Sequence, residues 1–175
     1  YTTLFRSGLI AEHGLSFYLE GYNKKILFDT GQSGHFIENA KVLGIDISEV
    51  DALVISHGHY DHTGGLANFL AANDHAQLYF GQALAVPRYS FHPGVPPRAI
   101  GITADNYQAL LKLASGRTHE LHAPLRLTKH IGITGPIPRR YGFEDTGGPF
   151  FLDNAKKQID MISDDLAMWC ETPQG

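Results

Sequence analysis

The stretch Ser56-His57-Gly58-His59-Tyr60-Asp61-His62-Thr63-Gly64-Gly65-Leu66 decides how the rest of the chain is read. It follows Ala52-Leu53-Val54-Ile55, an apolar run without a polar break, as in a short strand buried on both faces. It precedes a segment with helical spacing, and loops at strand ends are where a rigid scaffold presents functional side chains. His57 and His59 are two apart, so in extended backbone both point the same way. Two imidazoles so placed can reach one ion at about 2.0–2.1 Å. Asp61 and His62 come where the chain turns and can face a second ion beside the first. Gly58 is expected to remove a side chain that would crowd the ion, and Gly64 and Gly65 to permit close backbone approach at the loop-to-helix turn.

Two ions about 3.5–4 Å apart can bridge a water and bring its pKa near neutrality, one ion polarising the electrophile while the bridging hydroxide attacks. Asp61 can orient that hydroxide and take its proton, a catalytic role beside its role as ligand. Mixed imidazole and carboxylate donors suit zinc, with manganese or iron as alternatives. The expected cofactors are therefore two divalent transition-metal ions, most simply Zn2+, held by His57, His59, Asp61 and His62. A polar loop with fortuitous histidines is the competing reading, and this spacing between an apolar strand and Thr-Gly-Gly disfavours it. His13, His35, His75, His92, His119, His122 and His130 lack paired spacing and are expected at the surface or behind the ligands.

Working outward, residues 14–20 read as a strand, 21–24 as a turn and 25–29 as a second strand, together a hairpin. Residues 30–34 form a loop. Phe36, Ile37, Ala40 and Leu43 give residues 35–43 a helical period that Gly44 ends. Residues 66–72 are expected to be helical, 76–80 a strand, 89–101 a long proline-rich loop and 104–114 a helix. Strands are expected at 119–127, 129–134 and 165–170. Strands interleaved with helices indicate an α/β class. Arg139-Arg140 reads as a solvated surface pair and Cys170 as a buried strand residue.

Of the 175 residues, 43% are hydrophobic and 18% charged, an ordinary globular balance with length enough for a core. A net charge of -4 argues against a nucleic-acid surface. A single cysteine allows no internal disulfide and fits a reducing, cytoplasmic setting. One cysteine also cannot hold an iron–sulfur cluster. No apolar run approaches the roughly 20 residues needed to span a membrane.

Both ends invite a further expectation. Tyr1-Thr2-Thr3-Leu4-Phe5-Arg6-Ser7 reads as the translation of a common sequencing-library adapter, against the alternative of a native apolar segment, and is set aside. Glu171-Thr172-Pro173-Gln174-Gly175 reads as a turn leading onward. Residues 8–175 are thus expected to be the N-terminal part of one domain.

The segment His57-Gly58-His59-Tyr60-Asp61-His62 resembles the signature of the metallo-β-lactamase-fold superfamily. Phe28-Asp29-Thr30-Gly31 resembles that superfamily's first motif, in which the aspartate ends a strand and braces the metal loop by hydrogen bonds, a role the resemblance implies for Asp29. Glu12-His13-Gly14-Leu15-Ser16, Arg98-Ala99-Ile100-Gly101, Thr134-Gly135-Pro136-Ile137-Pro138-Arg139 and Asp164-Asp165-Leu166-Ala167 are similar to the branch of dihydropterin–ribofuranosyl-aminobenzene phosphate synthase-like proteins. The resemblance implies a four-layer αββα sandwich, here incomplete at its C-terminal end. It also implies further ligands on Gly-Cys-Ser-His and Gly-Gly-x-His segments, which are absent, and a whole protein about a domain and a half long. The implied activity is metal-dependent hydrolysis, or a related transfer, of a phosphorylated or ester-like small metabolite. A thioester hydrolase or lactonase of the same fold is the alternative. From a different class, the alternatives are a non-catalytic metal-binding or diiron redox protein and an inactive fragment.

Overall fold

The structure is a computed structural model that describes residues 8–172; the adapter reading of residues 1–7 lies outside them. The chain opens with β1 (Phe17–Gly21) and β2 (Lys24–Phe28), paired antiparallel across Tyr22 and Asn23. Both turn residues have positive φ, 52° and 56°, the two-residue geometry whose twist matches a hairpin. Tyr22 is an unusual occupant of that position. Its hydroxyl donates to Glu171 O at 2.6 Å and its ring stacks on His130.

Helix α1 (His35–Leu43) has the bounds its periodicity predicts, and Gly44 closes it in the left-handed conformation, φ 74°. Next come β3 (Ala52–Ile55), the short α2 (Tyr60–Thr63), α3 (Leu66–Ala72) and β4 (Gln77–Gly81). Where a long loop was expected at 89–101, the chain instead forms β5 (Tyr89–Ser90) and β6 (Arg98–Ala99), paired antiparallel with each other. The prolines lie between these strands, so the ladder bonds do not need their missing N–H groups. Helix α4 (Ala104–Leu111) stops three residues short of expectation, with Thr103 capping it through Asn106 N. The expected strand 119–127 is divided: β7 (Thr118–Leu121) and β8 (Leu125–Arg126) flank Pro124. The last strands are β9 (Ile131–Ile133), β10 (Phe150–Phe151) and β11 (Met168–Cys170). Cys170 is half-buried rather than buried.

The main sheet has the order β1-β2-β3-β4-β7, parallel from β2 onward; β11-β9-β8 and β10-β5-β6 form two smaller sheets. Alternation along the parallel strands sends side chains to two cores. Leu27, Leu53, Ile55 and Leu78 face the helices, with Phe36, Leu66, Phe69 and Leu110. Ile26, Ala52 and Val54 face the other way, onto Ile131, Ile133 and Leu166. Each buried Leu, Ile, Val or Phe side chain among these contributes about 1.5–3 kcal/mol relative to exposure. The described residues thus form an α/β assembly of three layers, helices on sheet on sheet. Among the described residues no helix is long and apolar enough to cross a membrane.

Candidate metal centre

The strand register builds the site. β2 and β3 run parallel with Phe28 opposite Val54, so Asp29 and Ser56, just past the strand ends, emerge side by side. This is the carboxyl edge of a parallel sheet, where open α/β folds place their ligands. Asp29 N donates to Val54 O at 2.8 Å, and the residue sits in the left-handed region, φ 60°, fully buried. Its Oδ1 accepts from Ser56 N at 2.7 Å; its Oδ2 accepts from Ser56 Oγ at 2.7 Å and lies 2.7 Å from His62 Nδ1.

The three loop histidines are brought together. The His57 ring centroid lies 4.1 Å from that of His62 and 4.6 Å from that of His59. Each ring has one nitrogen held by the protein. His57 Nδ1 lies 2.9 Å from Ser56 Oγ, His59 Nε2 lies 3.3 Å from Asp160 Oδ2, and His62 Nδ1 is on Asp29. The opposite nitrogens of His57 and His59 have no hydrogen-bond partner among the described residues, and His62 Nε2 faces Asp61 Oδ2 at 3.8 Å. Burial, reinforced by the neighbouring imidazoles, Arg88 and Arg139, lowers the His57 pKa to about 2, keeping the ring neutral. For His62 burial works toward the neutral form, but the hydrogen bond and charge of Asp29, with Asp61 and Asp165 beyond, outweigh it and raise the pKa.

Asp61, in the first turn of α2, also receives His13, whose Nε2 lies 3.1 Å from Oδ2 although the ring is largely exposed. Gly14 makes this approach possible: a Cβ there would stand 2.1 Å from Asp61 O, and its φ is 121°. Gly64 and Gly65 are similarly pressed onto the backbone of Gln32, Ser33 and Thr30. Gly58 differs from expectation. Its missing Cβ would meet Leu84 O at 2.0 Å, so the clearance serves packing of the loop on the chain after β4 rather than room for an ion.

Among the described residues, no group of three or more His, Cys, Asp or Glu side chains stands arranged to hold a metal ion. The donors lie close, but Asp61 turns to His13 and His59 to Asp160. The donor chemistry fits divalent ions: each loop histidine has one ring nitrogen anchored by Ser56, Asp160 or Asp29, the arrangement that orients an imidazole for metal through its other nitrogen.

Several neighbours were not legible in the sequence. Arg88 is almost fully buried and forks between Asp160 and Asp164. Asp160 is held below the ordinary carboxylate range despite its burial, by the hydrogen bond to His59 and the Arg88 charge. Asp164 Oδ2 accepts from Gly58 N at 2.8 Å. Arg139 is not a solvated partner of Arg140: it is partly buried and pairs with Asp165 at 2.9 Å. Charged residues inside apolar stretches were the available signal, and nothing in one sequence pairs them. Elsewhere, His35 meets Glu38 and His119 meets Gln77, away from the loop. An apolar groove of about 540 Å³ opens beside His57 and His62, with Phe17, Phe28, Leu166 and Trp169 among its walls.

The family described as the metallo-beta-lactamase superfamily matches residues 10–157. The chain belongs to that superfamily. Its relatives include an uncharacterised protein of Methanocaldococcus jannaschii, 33% identical over 89% of this chain and 58% of its own length. The 7,8-dihydropterin-6-methyl-4-(beta-D-ribofuranosyl)-aminobenzene-5'-phosphate synthase of the same organism is 28% identical over 98% of this chain and 61% of its own. A metal-dependent hydrolase of Staphylococcus aureus is 33% identical over 77% of this chain and 62% of its own. Among solved structures, a metal-dependent hydrolase of the beta-lactamase superfamily superposes with a TM-score of 0.73 at 25% identity, covering 97% of this chain and 59% of that one. The chain thus spans about 60% of the length of the relatives it matches.

Proposed function

We propose that this superfamily member carries the ligand loop of a metal-dependent hydrolase acting on a phosphorylated or ester-like small metabolite. The observation that carries this reading is the anchoring of the three loop histidines by Ser56, Asp160 and Asp29, which leaves their opposite nitrogens for metal. His57, His59, Asp61 and His62 are the proposed ligands of two divalent ions, with zinc favoured. Such ions would polarise the electrophile and lower the pKa of water at the site. Asp61 orients the attacking water and accepts its proton, and Asp29 holds His62 in place. The groove beside His57 and His62 accommodates an apolar body on the substrate. Net charge of -4 disfavours nucleic acid as that substrate. The hydrolase names of two relatives support the reaction class, and the synthase name of another supports including transfer of a related group.

The test is metal content per chain by elemental analysis, for the purified chain and for His59→Ala. Near-stoichiometric zinc, manganese or iron that falls in the variant supports the reading. A folded chain that takes up none of these from buffered metal overturns it for this polypeptide. Visible absorbance of the loaded protein would instead favour a diiron redox centre.

A further inference from the structure

The buried ionic cluster behind the ligand loop is costlier than a fold needs. Arg88 is 1% exposed, and its partners Asp160 and Asp164 are 2% and 0% exposed. Arg88 Nη1 donates to Asp160 Oδ2 at 3.2 Å and Nη2 to Asp164 Oδ1 at 2.6 Å. Buried ion pairs of this kind rarely stabilise more than apolar residues of equal volume, because desolvation offsets the attraction. What the two carboxylates do with their remaining contacts is more informative. Asp160 Oδ2 also faces His59 Nε2, and Asp164 Oδ2 accepts from the Gly58 backbone N–H. The cluster therefore grips two consecutive residues of the ligand loop from a segment about a hundred positions away.

The backbone between the two aspartates is strained. Ile162 is buried with φ 48°, a region that β-branched residues avoid. Asp160 Oδ1 accepts from Ile162 N and Ile162 O from Asp165 N, so the bend presents both carboxylates to the same guanidinium. The planar fork of arginine suits two acceptors at once; an ammonium would serve one. The Phe150 ring also packs on the His59 ring, nearly perpendicular to it at a centroid distance of 5.0 Å.

We propose that Arg88 is a positioning residue for metal binding: by holding Asp160 and Asp164 together it fixes the His59 ring and the Gly58 backbone in the orientation from which His59 meets a divalent cation. This rests on His59 being a ligand, as proposed above. Arg88 acts on the ligand loop through the two carboxylates; its further contact, Nη2 donating to Ala83 O at 3.4 Å, ties the guanidinium to the chain after β4.

The test compares the whole chain with R88K, R88M and D160N, and with Leu78→Ala as a core lesion remote from the cluster. Two readouts are taken. The first is zinc affinity, by competition with a chromophoric chelator. The second is the ring 15N spectrum of His59 in the metal-free protein, which reports how its two nitrogens share the proton. The expected result for D160N and R88K is a folded chain whose zinc affinity falls about ten-fold or more, the range for loss of an orienting partner. The His59 signals should change from one tautomer to an averaged pair. R88K should retain more affinity than R88M, because it keeps one carboxylate. Leu78→Ala should melt earlier with both readouts unchanged. If R88M does not fold, R88K and D160N still decide the matter. Wild-type affinity with a single His59 tautomer in both would overturn the proposal. A wild-type chain that binds no zinc would refute the ligand reading instead, while the metal-free spectra would still show whether Arg88 orients His59.

Discussion

Asp29→Asn should separate folding from metal binding, because it removes a charge and leaves the shape. The wild-type carboxylate is fully buried and meets Ser56 N, Ser56 Oγ and His62 Nδ1, all at 2.7 Å. Asparagine tolerates the positive φ of this position, so the backbone can stay. Its amide oxygen can keep the bond from Ser56 N. The NH2 group then faces Ser56 Oγ, which can turn to accept, and His62 Nδ1, which can accept only if the ring proton moves to Nε2. All three bonds to the carboxylate, worth about 1.5–3 kcal/mol each, become neutral bonds worth about 0.5–1.5 kcal/mol each, and release from burying the charge, which raises the Asp29 pKa, offsets part of that loss. The metal-free protein should lose about 2 kcal/mol, read by urea denaturation. Zinc should be hit harder in relative terms, since His62 Nε2 would carry a proton where the lone pair is needed. Chelator competition should show about a 10–100-fold weaker site. Asp29→Ala, which removes all three bonds and puts alanine at positive φ, should cost about 4–5 kcal/mol, near the limit a domain tolerates. A folded Asp29→Asn protein with zinc affinity within about two-fold of wild type would refute the argument, since loss of an orienting carboxylate should do more.

Acid should destabilise the metal-free protein through His57. Its pKa falls from 6.5 in the unfolded chain to about 2 in the fold, so between these values the unfolded state binds the extra proton. Stability then drops as pH falls below about 6.5, by about 3 kcal/mol at pH 4.5 from this residue, and His57→Gln should flatten the denaturation profile there. Gly65→Ala should lower the thermal midpoint, because its methyl would stand 2.4 Å from Ser33 O, 2.5 Å from Thr30 O and 2.6 Å from Phe36 Cε1. The expected cost is about 1–3 kcal/mol, and an unchanged midpoint would mean the loop relaxes freely.

What could be read from sequence was what depends on neighbours along the chain. The α1 and α3 helices have their expected bounds because period and stop signals are local. The strand Ala52–Ile55 and its histidine loop stand where an apolar run meets Gly-rich chain, again a local pattern. The proline-rich segment reads as a loop because β5 and β6 are two residues long and β5 finds its other partner in β10, some sixty residues later, which the sequence does not suggest. Gly58 was assigned to the ion when its neighbour is the Leu84 carbonyl, a contact no spacing encodes. Arg88, Asp160 and Asp164 escaped for the same reason: each is an ordinary charged residue until the fold buries the three together.

The four candidate donors occupy six consecutive positions, 57–62, while the carboxylates that orient them arrive from the far parts of the chain. A denatured ensemble therefore keeps the donors at high local concentration and competes with the native state for the same ion. Metal then stabilises the fold only by the difference between the two affinities, not by the whole of the native one. That difference resides in Asp29, Asp160 and Asp164. During synthesis the histidines emerge about a hundred residues before the last of these carboxylates, so the growing chain can hold an ion before the machinery that discriminates among ions exists.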